Sequence, residues 1–239
     1  MLLPFLLLLI VLFLSINLLF YFSIKKSFSK RSNYNNPEIK ISVVVAAKNE
    51  EENISNLINA LSDQAYDKKL FEVIIVDDNS VDKTYELVKE NIKDKINFSI
   101  IKAGSKPFPG KKGALTIGIE KTQNDFIMIT DADCIPEVNW LRIYSKIFSN
   151  GFDFIFGVAP FQLENSFINN LSGFENIRSS ILTSSSAILG FPYSAAARNF
   201  GFKKSSFNKI KGFANTQETL SGDDDLLLRE AVKNKMKIG

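Results

Sequence analysis

The chain has 239 residues, 45% of them hydrophobic, with 29 Lys and Arg against 26 Asp and Glu, one cysteine and no histidine. This composition excludes a histidine-based catalytic triad, a His-ligated or Cys-rich metal site and an intramolecular disulfide. Any metal must therefore be held by oxygen atoms. The chain is too apolar for disorder and long enough to bury one sizeable core, so one globular domain is expected.

The first segment, Leu2 to Ile24, carries no charge and is long enough to cross a bilayer as a helix. A cleaved signal peptide is the alternative, but the segment lacks a basic n-region and an A-x-A site, and it exceeds a normal h-region. Four basic residues follow it, and they predict a cytoplasmic location for the rest of the chain: Lys25, Lys26, Lys30 and Arg31.

Residues 27–40 have the Ser, Asn and Lys content of a linker and no hydrophobic period. We therefore predict a transmembrane helix over residues 1–24, a basic juxtamembrane linker over 25–38 and a globular domain over 39–239. Without the four flanking basic residues the chain has 25 basic and 26 acidic residues, so the body is near neutral. Nothing in this charge pattern indicates nucleic-acid binding, whereas the basic flank could touch anionic lipid headgroups.

The body alternates between short apolar runs and segments with helical periodicity, starting from Ile41. The runs without polar alternation predict buried strands at Ile41–Val45, Phe71–Val76, Phe98–Ile101 and Phe126–Thr130. The segments with helical periodicity between and after them are Glu50–Gln64, Asp82–Ile92, Lys111–Lys121 and Asp224–Lys233. Such alternation predicts an α/β domain with a mostly parallel sheet and helices on both faces. In such sheets the ligand site lies at the carboxyl ends of the strands.

Polar clusters follow three of these strands: residues 46–50, residues 77–80 and residues 131–133. Each cluster alone is more typical of a helix cap or a turn than of a site. Their coincidence at successive strand ends favours a site. Two carboxylates two residues apart can present oxygens to Mg²⁺ or Mn²⁺, which proteins often bind through carboxylates and substrate phosphates. A metal-bridged diphosphate is the chemistry that best fits this set of residues.

Five ordered elements, AAKNEEEN, VDDNS, GKKGAL, TDADC and SGDDDLLLR, resemble the family 2 glycosyltransferases with the Rossmann-like GT-A fold. The resemblance covers Ile41 to Arg229 and extends to the catalytic domains of cellulose synthase and poly-N-acetylglucosamine synthase-like enzymes. A single D-x-D is a weak signal, whereas five elements in order are a strong one.

The resemblance implies roles for the residues that match the donor-binding motifs. Asn49 and Glu50 match the Asn-Glu at the mouth of the nucleotide pocket, and Asp78 matches the carboxylate that accepts the base N–H of a uridine nucleotide. Lys111 matches the lysine beside the donor phosphates, although a solvated lysine at a helix start is the alternative. Asp131 and Asp133 match the D-x-D motif, with Asp133 as the expected direct metal ligand.

The last element matches the E-D-x-x-L motif, whose aspartate is the catalytic base of inverting members. Asp223 takes the base position, with Gly222 in place of the usual Glu, and Asp224 takes it if the loop shifts by one residue. A plain N-cap for the following helix is the alternative. Residues 197–213 resemble the stretch that lines the sugar and acceptor side, with Ala197 and Lys211 where glycine is typical.

Two further features concern the membrane and the chain's end. Residues 166–190 are mildly apolar at near-helical spacing, which suits either a helix beside the bilayer or an ordinary core helix. Processive synthases and many membrane-bound relatives carry a Q-x-x-R-W motif and further transmembrane helices beyond E-D-x-x-L. This chain stops at Gly239, shortly after Arg229, so we expect a domain truncated at its C-terminus.

Together these features predict a membrane-anchored transferase of cell-envelope glycans, with its catalytic domain in the cytoplasm. The resemblance implies an inverting, metal-dependent transfer of a sugar. The donor would be a nucleotide diphosphate sugar, preferably a UDP-sugar, and the acceptor a lipid or polysaccharide near the membrane. Alternatives are a non-catalytic, membrane-tethered GT-A-like binding domain and a sugar-nucleotide nucleotidyltransferase. The latter would ordinarily have a Gly-rich loop after its first strand, and AAKNEEEN contains no glycine.

Overall fold

The computed structural model describes residues 2–29, 39–162, 164–216, 219 and 222–239. The helices are α1 (Leu2–Ser29), α2 (Ile54–Ser62), α3 (Thr84–Asn91), α4 (Gly110–Lys121), α5 (Trp140–Phe148), α6 (Phe167–Ile188), α7 (Lys204–Lys209) and α8 (Asp225–Lys233). The strands are β1 (Ile41–Ala47), β2 (Phe71–Asp77), β3 (Phe98–Lys102), β4 (Phe126–Ile129), β5 (Phe154–Phe156) and β6 (Phe200–Lys203).

The chain divides into two units. The helical unit comprises Met1–Tyr34 and Val158–Tyr193 and contains α1 and α6, and the sheet unit comprises Asn35–Gly157 and Ser194–Gly239 and contains the other elements. In the helical unit α1 packs against α6. Helix α1 is long and apolar enough to cross a membrane, with its candidate span at Leu3–Lys25. Residues 30–38 of the predicted linker, with Lys30 and Arg31, lie outside the described residues.

The sheet has the strand order β3-β2-β1-β4-β6-β5. The first four strands are parallel, β6 is antiparallel to β4, and β5 is antiparallel to β6. The prediction of a mostly parallel sheet is therefore confirmed. The chain passes from β1 outward to β3 and then returns to the other side of β1 at β4, so the topological switch point lies between β1 and β4.

Helices cover both faces of this sheet. Alternate side chains of β1 point to opposite faces, and each set packs against helices. Val43 and Val45 pack with the buried faces of α2, α3 and α5. Val44 packs with α4, α7 and α8. Helix α4 lies especially close to the sheet, because a Cβ added at Gly118 would be 2.5 Å from Val44 Cγ1 and 3.0 Å from Val76 Cγ2.

Candidate functional site

The polar clusters at three strand ends converge on one edge of the sheet. In the parallel register Ala47 at the end of β1 pairs with Asp77 at the end of β2, and the Asp78 amide donates to the Ala47 carbonyl at 2.7 Å. Strand β4 lies on the other side of β1 and leads directly to Asp131. The three predicted clusters therefore lie beside the switch point of the sheet, where such folds bind ligands.

Asn49 and Glu50 connect the loop after β1 to the start of α3. Asn49 has φ +56°, a left-handed conformation that asparagine tolerates. Its amide donates to Ser80 Oγ at 3.0 Å, and its Oδ1 accepts from the Val81 amide at 2.9 Å. The Glu50 amide donates to Thr84 Oγ1 at 2.7 Å. These bonds hold the loop through backbone groups and the Asn49 side chain. Helix α2 begins at Ile54 and not at the predicted Glu50, since residues 51–53 form a turn.

Asp78 is buried and forms an ion pair with Lys106. The Lys106 ammonium also donates to the Gly110 carbonyl at 3.0 Å, at the first residue of α4. Lys106 therefore joins the predicted base-binding carboxylate to the helix end that carries Lys111. The sequence prediction missed Lys106, because only its position in the loop between β3 and α4 distinguishes it from the many exposed lysines.

Lys111 lies between two carboxylates from distant parts of the chain. Its ammonium is 2.5 Å from Asp131 Oδ1 and 3.1 Å from Asp223 Oδ2. Burial alone would lower the pKa of Lys111, but the charges of Asp131 and Asp223 outweigh it and raise this pKa, so the ammonium stays protonated. One cation thus joins the predicted D-x-D motif to the predicted catalytic base.

Asp133 has an exposed side chain on the turn after β4. Among the residues that the structure describes, no group of three or more His, Cys, Asp and Glu side chains could hold a metal ion alone. A hard cation such as Mg²⁺ can take one or two carboxylate oxygens and complete its shell with phosphates and water. Asp133 and Asp131 are the residues that could supply those oxygens.

The neighbouring Cys134 thiol does not have the features of a nucleophile. Burial raises its pKa, and the nearby charges of Asp131 and Asp133 act in the same direction. The thiolate, which is the reactive form, is therefore disfavoured at neutral pH.

Asp223 and Asp224 have different surroundings at the start of α8. Asp224 is the N-cap: its Oδ1 accepts from the Asp225 amide at 2.7 Å, and its Oδ2 accepts from the Ala197 amide at 2.9 Å. Burial raises the pKa of Asp224, although these two hydrogen bonds oppose the shift. Asp223 Oδ2 is buried and lies 3.1 Å from the Lys111 ammonium. Both oxygens of Asp224 thus accept from backbone amides, whereas Asp223 Oδ2 faces the ammonium of Lys111.

Lys112 is buried, with 2% of its surface exposed, and the sequence prediction gave it no role. Its ammonium donates to the Thr216 carbonyl at 2.7 Å and the Thr219 carbonyl at 3.1 Å. Burial lowers its pKa, whereas the charges of Asp223 and Asp224 act to raise it. Consecutive side chains on a helix point about 100° apart, so Lys111 reaches the strand end while Lys112 anchors the chain that leads to Asp223.

Replacing Lys112 by methionine should destabilise the sheet unit, since the Thr216 and Thr219 carbonyls lose their donor. We expect the free energy of unfolding to fall by about 1–3 kcal/mol. Urea unfolding of the full chain in detergent, followed through the buried Trp140, measures this change, since it is the single tryptophan. Lys89→Met on the exposed side of α3 is the control and should change stability by less than about 0.5 kcal/mol. Equal stability of the two variants would contradict the anchoring role.

The stretch predicted to line the acceptor side contributes to packing near β6. Asn199 is buried, and its Oδ1 accepts from Trp140 Nε1 at 2.9 Å. The Tyr144 hydroxyl is buried next to it, and this burial raises the tyrosine pKa strongly. Lys211 has φ +65°, which explains why glycine suits its position. Ser221 of the last motif lies outside the described residues.

Comparison with known families gives a match over most of the sheet unit. The sequence model described as "Glycosyl transferase family 2" matches residues 42–210, which is more than half of the chain. The chain belongs to glycosyl transferase family 2. The match includes the predicted donor-site residues Asn49 to Asp133 and ends before Asp223.

Curated relatives of this family 2 chain match up to about half of it. "Glycosyltransferase AglE" of Haloferax volcanii is 32% identical over 126 residues, which are 52% of this chain and 41% of that protein. "Beta-monoglucosyldiacylglycerol synthase" of Nostoc sp. is 38% identical over 93 residues, which are 39% of this chain and 20% of that protein. The chain therefore spans less than half the length of these relatives.

Solved structures confirm the GT-A fold. A mannosyltransferase from Pyrobaculum calidifontis in complex with GDP-Man and Mn²⁺ has a TM-score of 0.67 at 19% identity, covering 92% of this chain and 61% of that one. Staphylococcus aureus TarS residues 1–349 in complex with UDP-GlcNAc gives 0.59 at 22% identity, covering 84% of this chain and 55% of that one. The predicted family and fold class are therefore confirmed.

Proposed function

We propose that this family 2 chain carries the donor site and the catalytic base of an inverting glycosyltransferase. It would move a sugar from a nucleotide diphosphate donor, preferably a UDP-sugar, to a lipid or polysaccharide acceptor near the membrane. The observation that carries this proposal is the position of Lys111, which contacts both Asp131 of the D-x-D motif and Asp223. A cation that can bind phosphate and a half-buried carboxylate 3.1 Å from it could serve as the electrostatic stabiliser and the general base of a sugar transfer.

The donor would lie along the edge formed by the ends of β2, β1 and β4. Asp78 would accept the base N–H, with Asn49 and Glu50 at the mouth of the pocket, and Lys111 would bind the diphosphate as a point charge. The TarS complex with UDP-GlcNAc and the mannosyltransferase complex with GDP-Man support a nucleotide sugar donor in this fold. The preference for uridine follows from the match of Asp78 to the family motif.

The cofactor would be Mg²⁺ or Mn²⁺, and Asp133 with Asp131 would hold it together with the donor phosphates. A divalent cation bound there would neutralise charge on the departing diphosphate. The exposed carboxylate of Asp133 fits a metal that binds together with its nucleotide. The Mn²⁺ in the mannosyltransferase complex supports this choice.

The transfer step would begin with the acceptor hydroxyl beside Asp223. Asp223 would take the hydroxyl proton while that oxygen attacks the anomeric carbon and the bond from this carbon to the diphosphate oxygen breaks. Attack from the side opposite the leaving group inverts the anomeric centre. Lys111 would stabilise the charge that develops on the diphosphate. Asp224 would position the loop, because both of its oxygens bind backbone amides.

The acceptor would lie at a membrane, close to the catalytic domain. Helix α1 has the length and hydropathy of a membrane span, and the basic residues after it favour a cytoplasmic catalytic domain. The Nostoc relative is named for a glucosyldiacylglycerol, which supports a lipid acceptor, and a poly(ribitol-phosphate) N-acetylglucosaminyltransferase among the relatives supports a polymer.

Calorimetry of the full chain in detergent tests the donor site, with UDP, GDP and CDP compared in Mn²⁺ and in chelator. We expect binding of UDP that depends on the metal and is lost in Asp133→Asn. Asp94→Asn, an exposed carboxylate before β3, is the matched control and should bind as the original chain does. Unchanged affinity of Asp133→Asn in Mn²⁺ would contradict the metal site. Binding without transfer to any membrane acceptor would favour the non-catalytic alternative.

A further inference from the structure

Helix α6 has several large apolar side chains that are exposed on its surface. The exposed fractions of Phe167, Leu171, Phe174 and Ile181 are 82%, 53%, 61% and 45%. These residues follow each other at intervals of four, three and seven, so they share one side of the helix. A surface helix of a water-soluble protein has the opposite pattern, with its apolar stripe toward the core.

The opposite side of α6 carries small or polar residues and is covered, and toward the end of the helix Ser185, which is in line with Phe167, is buried as well. Gly173 is buried, and Asn169, Asn176, Ser180 and Ala187 are half-buried. In the helical unit the partner of α6 is α1. Small residues at a helix contact with large apolar residues pointing away from it are typical of helices that pack inside or at the surface of a bilayer.

The neighbouring helix α1 supports a lipid bilayer as the environment of the apolar side of α6. The candidate span of α1, Leu3–Lys25, has 23 residues, about 35 Å of helix at 1.5 Å per residue, enough to cross the apolar layer of a membrane. A bilayer that surrounds α1 would therefore also contact α6, which packs against α1. Among the described helices, α1 alone meets the criterion for a span, so α6 is suited to the interface rather than to crossing.

Two charged residues are compatible with this position. Arg178 lies between Phe174 and Ile181 on the exposed side and forms an ion pair with Glu175 at 2.6 Å. Arginine can extend its aliphatic stem along an apolar surface and place its charged group among lipid headgroups. The ion pair also reduces the cost of placing both charges near the apolar layer.

We propose that α6 lies in the bilayer interface beside α1, with Phe167, Leu171, Phe174 and Ile181 in contact with lipid acyl chains. This contact gives the chain a second lipid-binding element besides the membrane span. It does not depend on the sugar donor or on Asp223, so it can hold or fail independently of the proposed transfer reaction.

The test uses the full chain in phospholipid vesicles, with Cys134→Ser as the background and one environment-sensitive dye on each introduced cysteine. Leu171→Cys and Phe174→Cys place the dye on the exposed side of α6. Leu9→Cys in α1 is the membrane control, and Lys89→Cys on exposed α3 is the aqueous control. We expect brominated acyl chains to quench the dye at positions 171, 174 and 9 but not at 89, and iodide in the water to quench only at 89.

Three results would overturn the proposal. Iodide quenching at 171 and 174 equal to that at 89 would show a water-exposed face. Protection from both quenchers would show that a protein, such as a second copy of the chain, covers the helix. Absence of bromolipid quenching at position 9 would show that α1 is not in the bilayer. Phe174→Ser without dye, assayed for UDP binding, should leave the affinity unchanged and so separates this contact from the donor site.

Discussion

Asp223→Asn should abolish sugar transfer while leaving donor binding nearly intact. The amide has the shape of the carboxylate but cannot take the acceptor proton, and loss of a general base typically costs 10²–10⁴-fold in rate. Donor affinity should hold because Lys111 keeps Asp131 as a partner at 2.5 Å. Single-turnover transfer and calorimetry with the same preparation measure the two effects separately.

Asp224→Asn is the matched control for this experiment. Asparagine remains a good N-cap for α8, but its NH₂ group cannot accept the Ala197 amide that Asp224 Oδ2 accepts at 2.9 Å. We therefore expect lower stability, by about 1–3 kcal/mol, with transfer by the folded fraction reduced far less than in Asp223→Asn. The reverse order of transfer rates would move the base to Asp224.

Lys111→Met should weaken nucleotide binding strongly. The methionine has similar length, but the diphosphate loses a charge-assisted partner, and Asp131 and Asp223 are left without the cation between them. Hydrogen bonds to charged groups contribute about 1.5–3 kcal/mol, which corresponds to a rise in Kd of about 10- to 150-fold. Calorimetry with UDP and Mn²⁺ measures this rise.

Two variants control the interpretation of Lys111→Met. Lys111→Arg keeps the charge and should recover part of the affinity, although its planar guanidinium fits a site built for a compact ammonium less well. Lys93→Met removes an exposed lysine beyond α3 and should not change Kd. An affinity loss in Lys93→Met as large as in Lys111→Met would indicate a general charge effect instead of a diphosphate contact.

The sequence predicted the four parallel strands within two residues at each end, because each is a short apolar run and three of them are followed by a polar cluster. Ile41, Phe71, Phe98 and Phe126 begin both the predicted and the observed strands. The antiparallel strands β5 and β6 were not predicted. They have three and four residues, too few for a periodic pattern. The pairing of β6 with β4 and of β5 with β6 depends on contacts between distant segments.

The residues of the candidate site were predicted by their motifs, whereas the contacts among them were not. Lys106 and Lys112 are lysines like many others in the chain until folding buries Lys112 and places Lys106 beside Asp78. Helix α6 shows the same limitation, since the spacing of its apolar residues predicted a helix but not which side would be covered. Burial of a particular side is a property of the neighbouring element, here α1.

The sharing of Lys111 by Asp131 and Asp223 links the two halves of the proposed reaction thermodynamically. A diphosphate that draws the Lys111 ammonium toward itself changes the electrostatic environment of Asp223. An acceptor bound at Asp223 likewise changes the electrostatic environment of the ammonium that binds the diphosphate. Linkage is reciprocal, so each ligand must alter the affinity of the other by the same factor. A donor analogue and an acceptor analogue should therefore bind this chain cooperatively or antagonistically, with a single coupling free energy whichever is added first.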